Sequence, residues 1–310
     1  MSSSPSHSRL RFFLLLSTTL IWGSSFILIK KASQVFSPLE VGSLRIVVGF
    51  CFFLPVFILN FKNLPKKMGW WILLSGLLGS FFPSLLFAYA GSKIDSALSG
   101  MLNAVTPLFT VLIGISFFGQ RFSSWQWAGI SCGLLGAMVL GLAGSGGISL
   151  NFFILPVLVA TLFYALNVNI LKIKFAGVSP LALSSATIVA IGPAAFFLLF
   201  GMSDFTRKLT HTPGAWQAFF YVAVLGVFST AIALVLFNRL IQIAGALSAS
   251  SVTYMMPLVS VCWGFFDGES MPWYRLLGLA GILAGVYLVN TSSRAGEIGE
   301  KSSEPGSIRA

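Results

Sequence analysis

Long apolar runs separated by short polar breaks dominate the chain from residue 10 to residue 290. The runs do not alternate apolar and polar positions, so they do not resemble the strands of a membrane β-barrel. Each run has about 18–23 residues, the length that a helix needs to cross the hydrocarbon core of a bilayer. The pattern predicts ten transmembrane helices: Leu10–Ile29, Pro38–Leu59, Gly69–Gly91, Ala97–Phe118, Trp125–Leu142, Asn151–Leu171, Pro180–Gly201, Trp216–Phe237, Leu247–Phe266 and Trp273–Asn290.

Gly, Pro and polar residues mark the breaks between the runs, as in the glycine-rich segment Gly141–Gly147. Arg9 and Arg11 before the first run would also fit a cleaved signal peptide. The apolar run continues to Ile29 without an evident cleavage site, so we expect the first helix to be retained. The predicted organisation is an N-terminal tail (1–9), a first five-helix unit (10–142), a linker (143–150), a second five-helix unit (151–290) and a polar, disordered tail (291–310).

Composition points to lipid as the main solvent of the chain. Of the 310 residues 56% are hydrophobic and only 9% are charged, whereas a soluble domain carries about 25% charged residues. In lipid every backbone polar group must find its partner within the protein, which non-alternating segments achieve only as helices. The fold class predicted is therefore an all-α integral membrane protein.

The basic residues indicate an orientation rather than a nucleic-acid partner. The net charge is +11, but Lys and Arg are scattered over short loops and form no basic stripe that would bind nucleic acid. If the N-terminus is cytoplasmic, the cytoplasmic segments hold twelve Lys and Arg residues and the opposite segments hold six. The positive-inside rule then predicts that both termini are cytoplasmic, in a plasma membrane or a bacterial inner membrane.

Residues that could support catalysis or bind a metal are not clustered. Cys51, Cys132 and Cys262 lie in separate apolar runs, and His7 and His211 lie outside the spans. A serine hydrolase or a metal enzyme would need grouped residues at membrane depth. We therefore expect no enzyme activity, no metal and no cofactor, with an intramembrane enzyme as a remote alternative.

The two five-helix units resemble each other. Ser37–Leu39 recurs as Ser179–Leu181 after 142 residues. This offset, which becomes about 150 from the third run onwards, matches further pairs: Trp22 with Tyr164, Ser25 with Asn167, Lys30 with Lys172, Gly76 with Gly226, Phe87 with Phe237, and Pro107 with Pro257. Since each unit has an odd number of spans, the units enter the membrane in opposite orientations. Such inverted repeats are typical of transporters, whose substrate site lies near the midplane between the halves.

Particular motifs resemble the EamA-type drug/metabolite transporter superfamily. They are Ile21–Phe26 with Lys30, Leu44-Arg45 after Pro38, Ala97 followed by Pro107-Leu108, and Pro257-Leu258 with Glu269. The resemblance covers about residues 10–290. It implies ten helices, a central cavity lined by helices one to four and six to nine, and export of small metabolites. The chain departs from the family pattern at Gln120, where a glutamate is usual.

Polar and aromatic residues within the spans are the candidates for a substrate site, because such residues usually face a cavity or the bundle interior. Positions three apart share one helix face, as Trp22 and Ser25 do. Packing between helices is the alternative role. The candidate substrate-binding residues are Trp22, Ser25, Asn103, Thr106, Tyr164, Asn167, Thr253 and Tyr254.

Pro107 and Pro257 lie near the middle of the fourth and ninth spans. A proline has no N–H, so the carbonyls of Asn103 and Thr253 lose their helical partners. We favour a simple kink at each proline; a hinge beside a substrate contact is the alternative. Arg45 lies about seven residues into the second span. We favour a side chain that snorkels to the interface, with anion binding in the cavity as the alternative.

The helices numbered five and ten carry Gly129-x-x-x-Gly133 and Gly281-x-x-x-Gly285. These small-residue faces permit close packing, within a monomer, which we favour, or across a homodimer. With the bilayer and a small solute as partners, the sequence favours a secondary transporter that exports amino acids or related amphipathic solutes by alternating access. A passive channel is the second candidate, although no repeated filter or charged ring is evident.

Overall fold

The computed structural model describes residues 5–64, 66–118, 124–144, 147–148, 151–249 and 251–302. Gln120 lies outside this part of the chain. Almost all described residues are helical. The α-helices are α1 (Pro5–Ala32), α2 (Pro38–Asn60), α3 (Gly69–Gly76), α4 (Phe82–Gly91), α5 (Ser96–Asn103), α6 (Thr106–Phe118), α7 (Ser124–Leu142), α8 (Leu155–Lys174), α9 (Pro180–Gly201), α10 (Phe205–His211), α11 (Ala215–Val224), α12 (Ala233–Ala249), α13 (Ser251–Phe266) and α14 (Trp273–Ser302).

The described helices include seven segments that are long and apolar enough to cross a membrane. They are Arg9–Ala32, Pro38–Asn60, Gly69–Gly91, Ser96–Phe117, Phe152–Lys174, Pro180–Gly201 and Ala215–Ala244. Val252–Phe266 and Trp273–Val289 are shorter apolar helices. The predicted all-helical membrane class is confirmed, whereas the count of ten spans stays a prediction.

Several boundaries differ from the predicted ones. In the linker, β1 (Ala143–Gly144) and β2 (Gly147–Ile148) form a two-residue antiparallel pair. The eighth span was predicted to end at Phe237, but α12 continues to Ala249, so the next helix starts at Ser251 rather than Leu247. Helix α14 runs to Ser302, beyond Asn290, and therefore includes the first part of the tail that was predicted to be disordered.

Local sequence signals explain where α2 begins. The Ser37 hydroxyl accepts a hydrogen bond from the Glu40 backbone N–H (3.3 Å), and the Glu40 carboxylate accepts one from the Ser37 N–H (2.6 Å). This capping box satisfies two backbone donors that the first turn would otherwise leave free. Pro38 occupies the first helical position, where its missing N–H costs nothing.

Two long membrane segments contain a wider π-helical turn. Leu77–Phe81 joins α3 to α4, and Leu225–Ile232 joins α11 to α12. The offset of 150 places residues 77–81 opposite residues 227–231, so the two π segments occupy matching places in the sequence repeat. Such turns occur frequently at functional sites.

The two repeat-related prolines have different effects on their helices. The helical conformation is interrupted by a turn at residues 104–105, between α5 and α6. The Thr106 hydroxyl donates a hydrogen bond to the Asn103 carbonyl oxygen at 2.7 Å. That bond replaces the helical partner that Pro107 cannot supply. Pro257, in contrast, lies inside the unbroken helix α13, so the structure has one break rather than two.

Helices α7 and α14 pack along their glycine faces. A Cβ at Gly129 would lie 2.6 Å from the Gly285 carbonyl oxygen, and one at Gly136 would lie 2.6 Å from that of Gly278. Only glycine permits such close approach of two backbones. These glycine faces therefore pack against each other within the chain, and the oligomeric state stays a prediction.

Candidate functional site

A cavity with an empty volume of about 1080 Å³, part of it open to the outside, lies among the helices. Both halves of the chain contribute to its wall. Nine residues that the sequence analysis singled out line it: Trp22, Ser25, Arg45, Asn103, Thr106, Pro107, Tyr164, Asn167 and Thr253. Tyr254 and Pro257 are not among the lining residues; Tyr254 is half-buried and packs against the hydrophobic core.

Two aromatic pairs form part of the cavity wall. Trp22 of α1 contacts Phe237 of α12, with ring centroids 4.8 Å apart. Tyr164 of α8 stacks on Phe87 of α4, with centroids 5.9 Å apart. The sequence repeat matches Trp22 with Tyr164 and Phe237 with Phe87, so the two pairs are equivalent. Aromatic faces of this kind can hold an apolar group of a solute.

Arg45 does not snorkel to the interface. It is only 9% exposed and lines the cavity. Its Nε donates to the Thr230 hydroxyl at 3.1 Å, and its Nη2 lies 3.4 Å from the Ser229 hydroxyl oxygen. The Ser229 and Ser25 hydroxyl oxygens are 2.8 Å apart, and the Trp22 indole donates to the Ser229 carbonyl oxygen at 2.9 Å. These contacts join the Arg45 side chain of α2 to the Leu225–Ile232 π segment and, through Ser229, to α1.

Asn167 has a different environment from its repeat equivalent Ser25. Its amide oxygen accepts a hydrogen bond from the Ser75 hydroxyl at 2.7 Å. Gly79 makes room for the amide, since a Cβ at that position would overlap the Asn167 side chain. The second half therefore presents an amide group where the first half presents a hydroxyl.

Asn103 is buried with one of its polar atoms unsatisfied. It is 3% exposed, and its Oδ1 finds no hydrogen-bond partner among the described residues. Its Nδ2 lies 3.7 Å from the Met256 sulfur, which is a weak acceptor. A buried polar group that lacks a partner is costly, which indicates a role other than stabilising this conformation.

Among the lining residues that were not predicted from the sequence, four make the contacts described above. Ser229 and Thr230 hold Arg45, and Phe87 and Phe237 complete the aromatic pairs. The repeat carried a signal for the phenylalanines, because Phe87 and Phe237 match each other. For Ser229 the signal was absent, because the offset of 150 places it opposite Gly79.

An ion-pair cluster lies at the end of α1, just beyond the cavity residue Ile29. The Lys30 ammonium contacts Asp267 and Glu269, each at 2.8 Å, and Lys31 pairs with Asp267. The Glu269 carboxylate also caps α5, accepting hydrogen bonds from the Ser96 N–H (2.8 Å), the Ser96 hydroxyl (2.7 Å) and the Ala97 N–H (3.0 Å). The cluster thus ties the loop between α13 and α14 to two helices of the first half.

These contacts set the protonation of Glu269. Burial raises the pKa of its carboxyl group. Hydrogen bonds from Lys30, Ala97 and Ser96 lower the pKa by more than burial raises it, so the pKa lies below its ordinary value. Glu269 is therefore charged at neutral pH.

The described residues contain no group of three His, Cys, Asp or Glu side chains that could hold a metal ion. What the cavity offers is one cation, several hydroxyl and amide groups, and aromatic faces. These groups are suited to reversible binding of a solute.

Comparisons with known proteins agree with this arrangement. The sequence model of the EamA-like transporter family matches the chain twice, over residues 10–142 and 151–291. The chain is 25% identical over 282 residues to the Escherichia coli strain K12 protein named "Uncharacterized inner membrane transporter YedA", covering 87% of each. It is also 25% identical over 292 residues to a Salmonella typhimurium strain LT2 protein named "Probable amino-acid metabolite efflux pump", covering 91% of this chain and 95% of that one.

A solved crystal structure shares the fold, with a TM-score of 0.63 at 20% identity over 95% of this chain and 100% of that one. The structure and the relatives together describe a multi-pass membrane protein. Because one family model accounts for nearly all of both halves, this chain belongs to the EamA-like transporter family.

Proposed function

We propose that the protein is a secondary transporter that exports amino acids or related amphipathic solutes by alternating access. The observation that carries the proposal is a cavity whose wall includes matching positions of the two family-matched halves. The name of the Salmonella relative supports an amino-acid-related solute. The chain would lie in a bacterial inner membrane with both termini cytoplasmic, as its Lys and Arg distribution predicts.

Helix contacts support two inverted five-helix repeats. Helix α1 packs against α12 and α13, and its equivalent α8 packs against α4 and α6. Helix α2 packs against its own equivalent α9, and α7 against its equivalent α14. A two-fold relation between the halves generates this set of pairings. Repeats of this kind can exchange conformations, which opens a shared site to either side in turn.

The ion-pair cluster supplies a closure at one end of the cavity. Lys30 and Ser96 belong to the first half, and Asp267 and Glu269 belong to the second. We propose that these contacts hold this end shut while the solute exchanges at the other end. A passive channel would have no need of such a closure between the two halves.

Counterflow in proteoliposomes tests the proposal. The purified chain is reconstituted with unlabelled solute inside, and the uptake of the same labelled solute is followed for a panel of amino acids. A carrier accumulates label transiently and saturably, whereas a channel only equilibrates it. We expect Trp22→Ala and Asn103→Ala to reduce counterflow at least tenfold, because each removes part of the cavity wall.

Trp70→Ala is the matched control, because Trp70 is 65% exposed and lies outside the cavity. It should leave counterflow within about twofold of the unmodified protein. All variants are first checked for folding by size-exclusion chromatography and thermal unfolding. Equal activity of Trp22→Ala and Trp70→Ala would remove the cavity from the mechanism, and equilibration without transient accumulation would identify a channel.

A further inference from the structure

Arg45 is a buried cation without an anionic partner. It is 9% exposed, and its hydrogen bonds go to two neutral hydroxyl groups, those of Thr230 and Ser229. Each acidic side chain that the structure describes is paired with another cation: Glu40 with Lys208, Asp95 with Arg275, Asp204 with Arg207, Asp267 with Lys30 and Lys31, and Glu269 with Lys30. The charge of Arg45 is therefore not balanced within the described part of the protein.

A buried charge at membrane depth is expensive when it has no counter-charge, and such residues mark binding sites or ion pathways. Helix packing alone does not require an arginine at position 45, because a neutral polar side chain could also form a hydrogen bond to Thr230 and so join α2 to the π segment. Its remaining N–H groups have no partner among the described residues, and the side chain lines the cavity. A guanidinium with free N–H groups can bind a carboxylate through two parallel hydrogen bonds.

We propose that Arg45 is the anion-recognition residue of the cavity and that the transported solute carries a carboxylate, which Arg45 binds. This inference rests on the proposed transport function and assigns its solute class to a particular residue. Arg45 lines the same cavity as Tyr164, which belongs to one aromatic pair. Trp22, which contacts Ser229, brings the other pair to the same subsite. A carboxylate bound there places the apolar part of the solute against these rings.

Matched acids and amides test the proposal. Labelled phenylalanine, leucine and methionine, and the amide of each, are compared in counterflow. The amides keep the size and apolar part of the solute but lose the negative charge. We expect an exchanged acid to be favoured over its amide by about 10- to 100-fold, the range expected for charged hydrogen bonds.

Three variants separate recognition from structure. Arg45→Gln should abolish the preference for the acid. Arg45→Lys should retain part of it, because lysine keeps the charge but not the planar fork. Arg239→Gln, at an exposed position of α12, is the matched control and should keep the full preference. If Arg45 only held helices together, Arg45→Gln would lower acid and amide transport by the same factor.

The outcomes distinguish this inference from the proposed function. Counterflow that treats acid and amide alike, or that keeps its preference in Arg45→Gln, would refute the anion subsite and leave a transporter. Absence of counterflow for every acid and amide, with the protein shown to be folded, would refute the transport function and this inference with it. An acid preference that is lost in Arg45→Gln, partly kept in Arg45→Lys and fully kept in Arg239→Gln would support both.

Discussion

Replacing Asn103 with leucine should stabilise the protein and stop transport. The Asn103 side chain is 3% exposed, its Oδ1 has no partner among the described residues, and its Nδ2 has only the Met256 sulfur at 3.7 Å. Leucine has nearly the same size and no polar atoms. The change therefore removes an unsatisfied polar group without leaving a cavity.

The magnitude follows from the cost of burying a polar group without a partner, about 1–3 kcal/mol. We expect the free energy of unfolding to rise by about that amount. For chains of a few hundred residues this corresponds to roughly 2–4 °C in Tm for each kcal/mol. Thermal unfolding in detergent, followed by tryptophan fluorescence, measures the shift. Counterflow of the same preparation should fall at least tenfold, because a costly buried amide is retained where function uses it.

Asn169→Leu is the matched control. Asn169 is also 3% exposed, but its Nδ2 donates to the Thr110 carbonyl oxygen at 3.1 Å and to the Ala165 carbonyl oxygen at 2.9 Å. The same substitution should therefore lower the free energy of unfolding, by about 1–3 kcal/mol. If both variants are destabilised to the same extent, Asn103 is a satisfied structural residue and the reasoning fails.

Two further predictions concern the ion-pair cluster at Glu269 and the contact between α7 and α14. Since the pKa of Glu269 is depressed in the folded protein, its stabilisation is present above the ordinary value of about 4.3 and is lost as the pH falls through the folded pKa. Tm should thus decline on acidification below about pH 4, and less steeply in Glu269→Gln; equal slopes would contradict this. Gly136→Ala, whose Cβ would lie 2.6 Å from the Gly278 carbonyl oxygen, should cost about 1–3 kcal/mol, whereas Gly69→Ala, with nothing within 4 Å, should be neutral in the same unfolding assay.

Apolar run length predicted the helical membrane class because lipid leaves a chain of this composition few alternatives. It did not predict the interruptions within the helices. Nothing in Leu77–Phe81 or Leu225–Ile232 differs in composition from the apolar sequence around it, so the π turns were invisible. The helix is interrupted just before Pro107, whereas α13 continues through Pro257, so the kink predicted at Pro257 stays a prediction.

At the level of the cavity, both the repeat and the polarity of residues within the spans pointed to lining residues. The repeat matched Trp22 with Tyr164 in sequence, and both residues line the cavity. The direction of Arg45 could not be predicted, since a position seven residues from a helix end allows either the interface or the interior. The hydroxyl groups that decide between them, Thr230 and Ser229, lie about 185 residues away along the chain.

The halves differ most where the cavity is most polar. The offset of 142 places Thr187 opposite Arg45, and the offset of 150 places Gly79 opposite Ser229. Arg45 and the Ser229 hydroxyl thus have no equivalents in the other half, whereas Thr230 corresponds to Ser80 and the aromatic pairs correspond to each other. In the proposed binding mode, the cavity would hold a carboxylate only on the side where Arg45 lies. In the proposed cycle the two repeats would exchange conformations while the solute keeps one orientation, its charged end on α2. Selectivity for the solute would then come from the residues that differ between the halves. The change in which side of the membrane the cavity opens to would come from the backbone fold that the halves share.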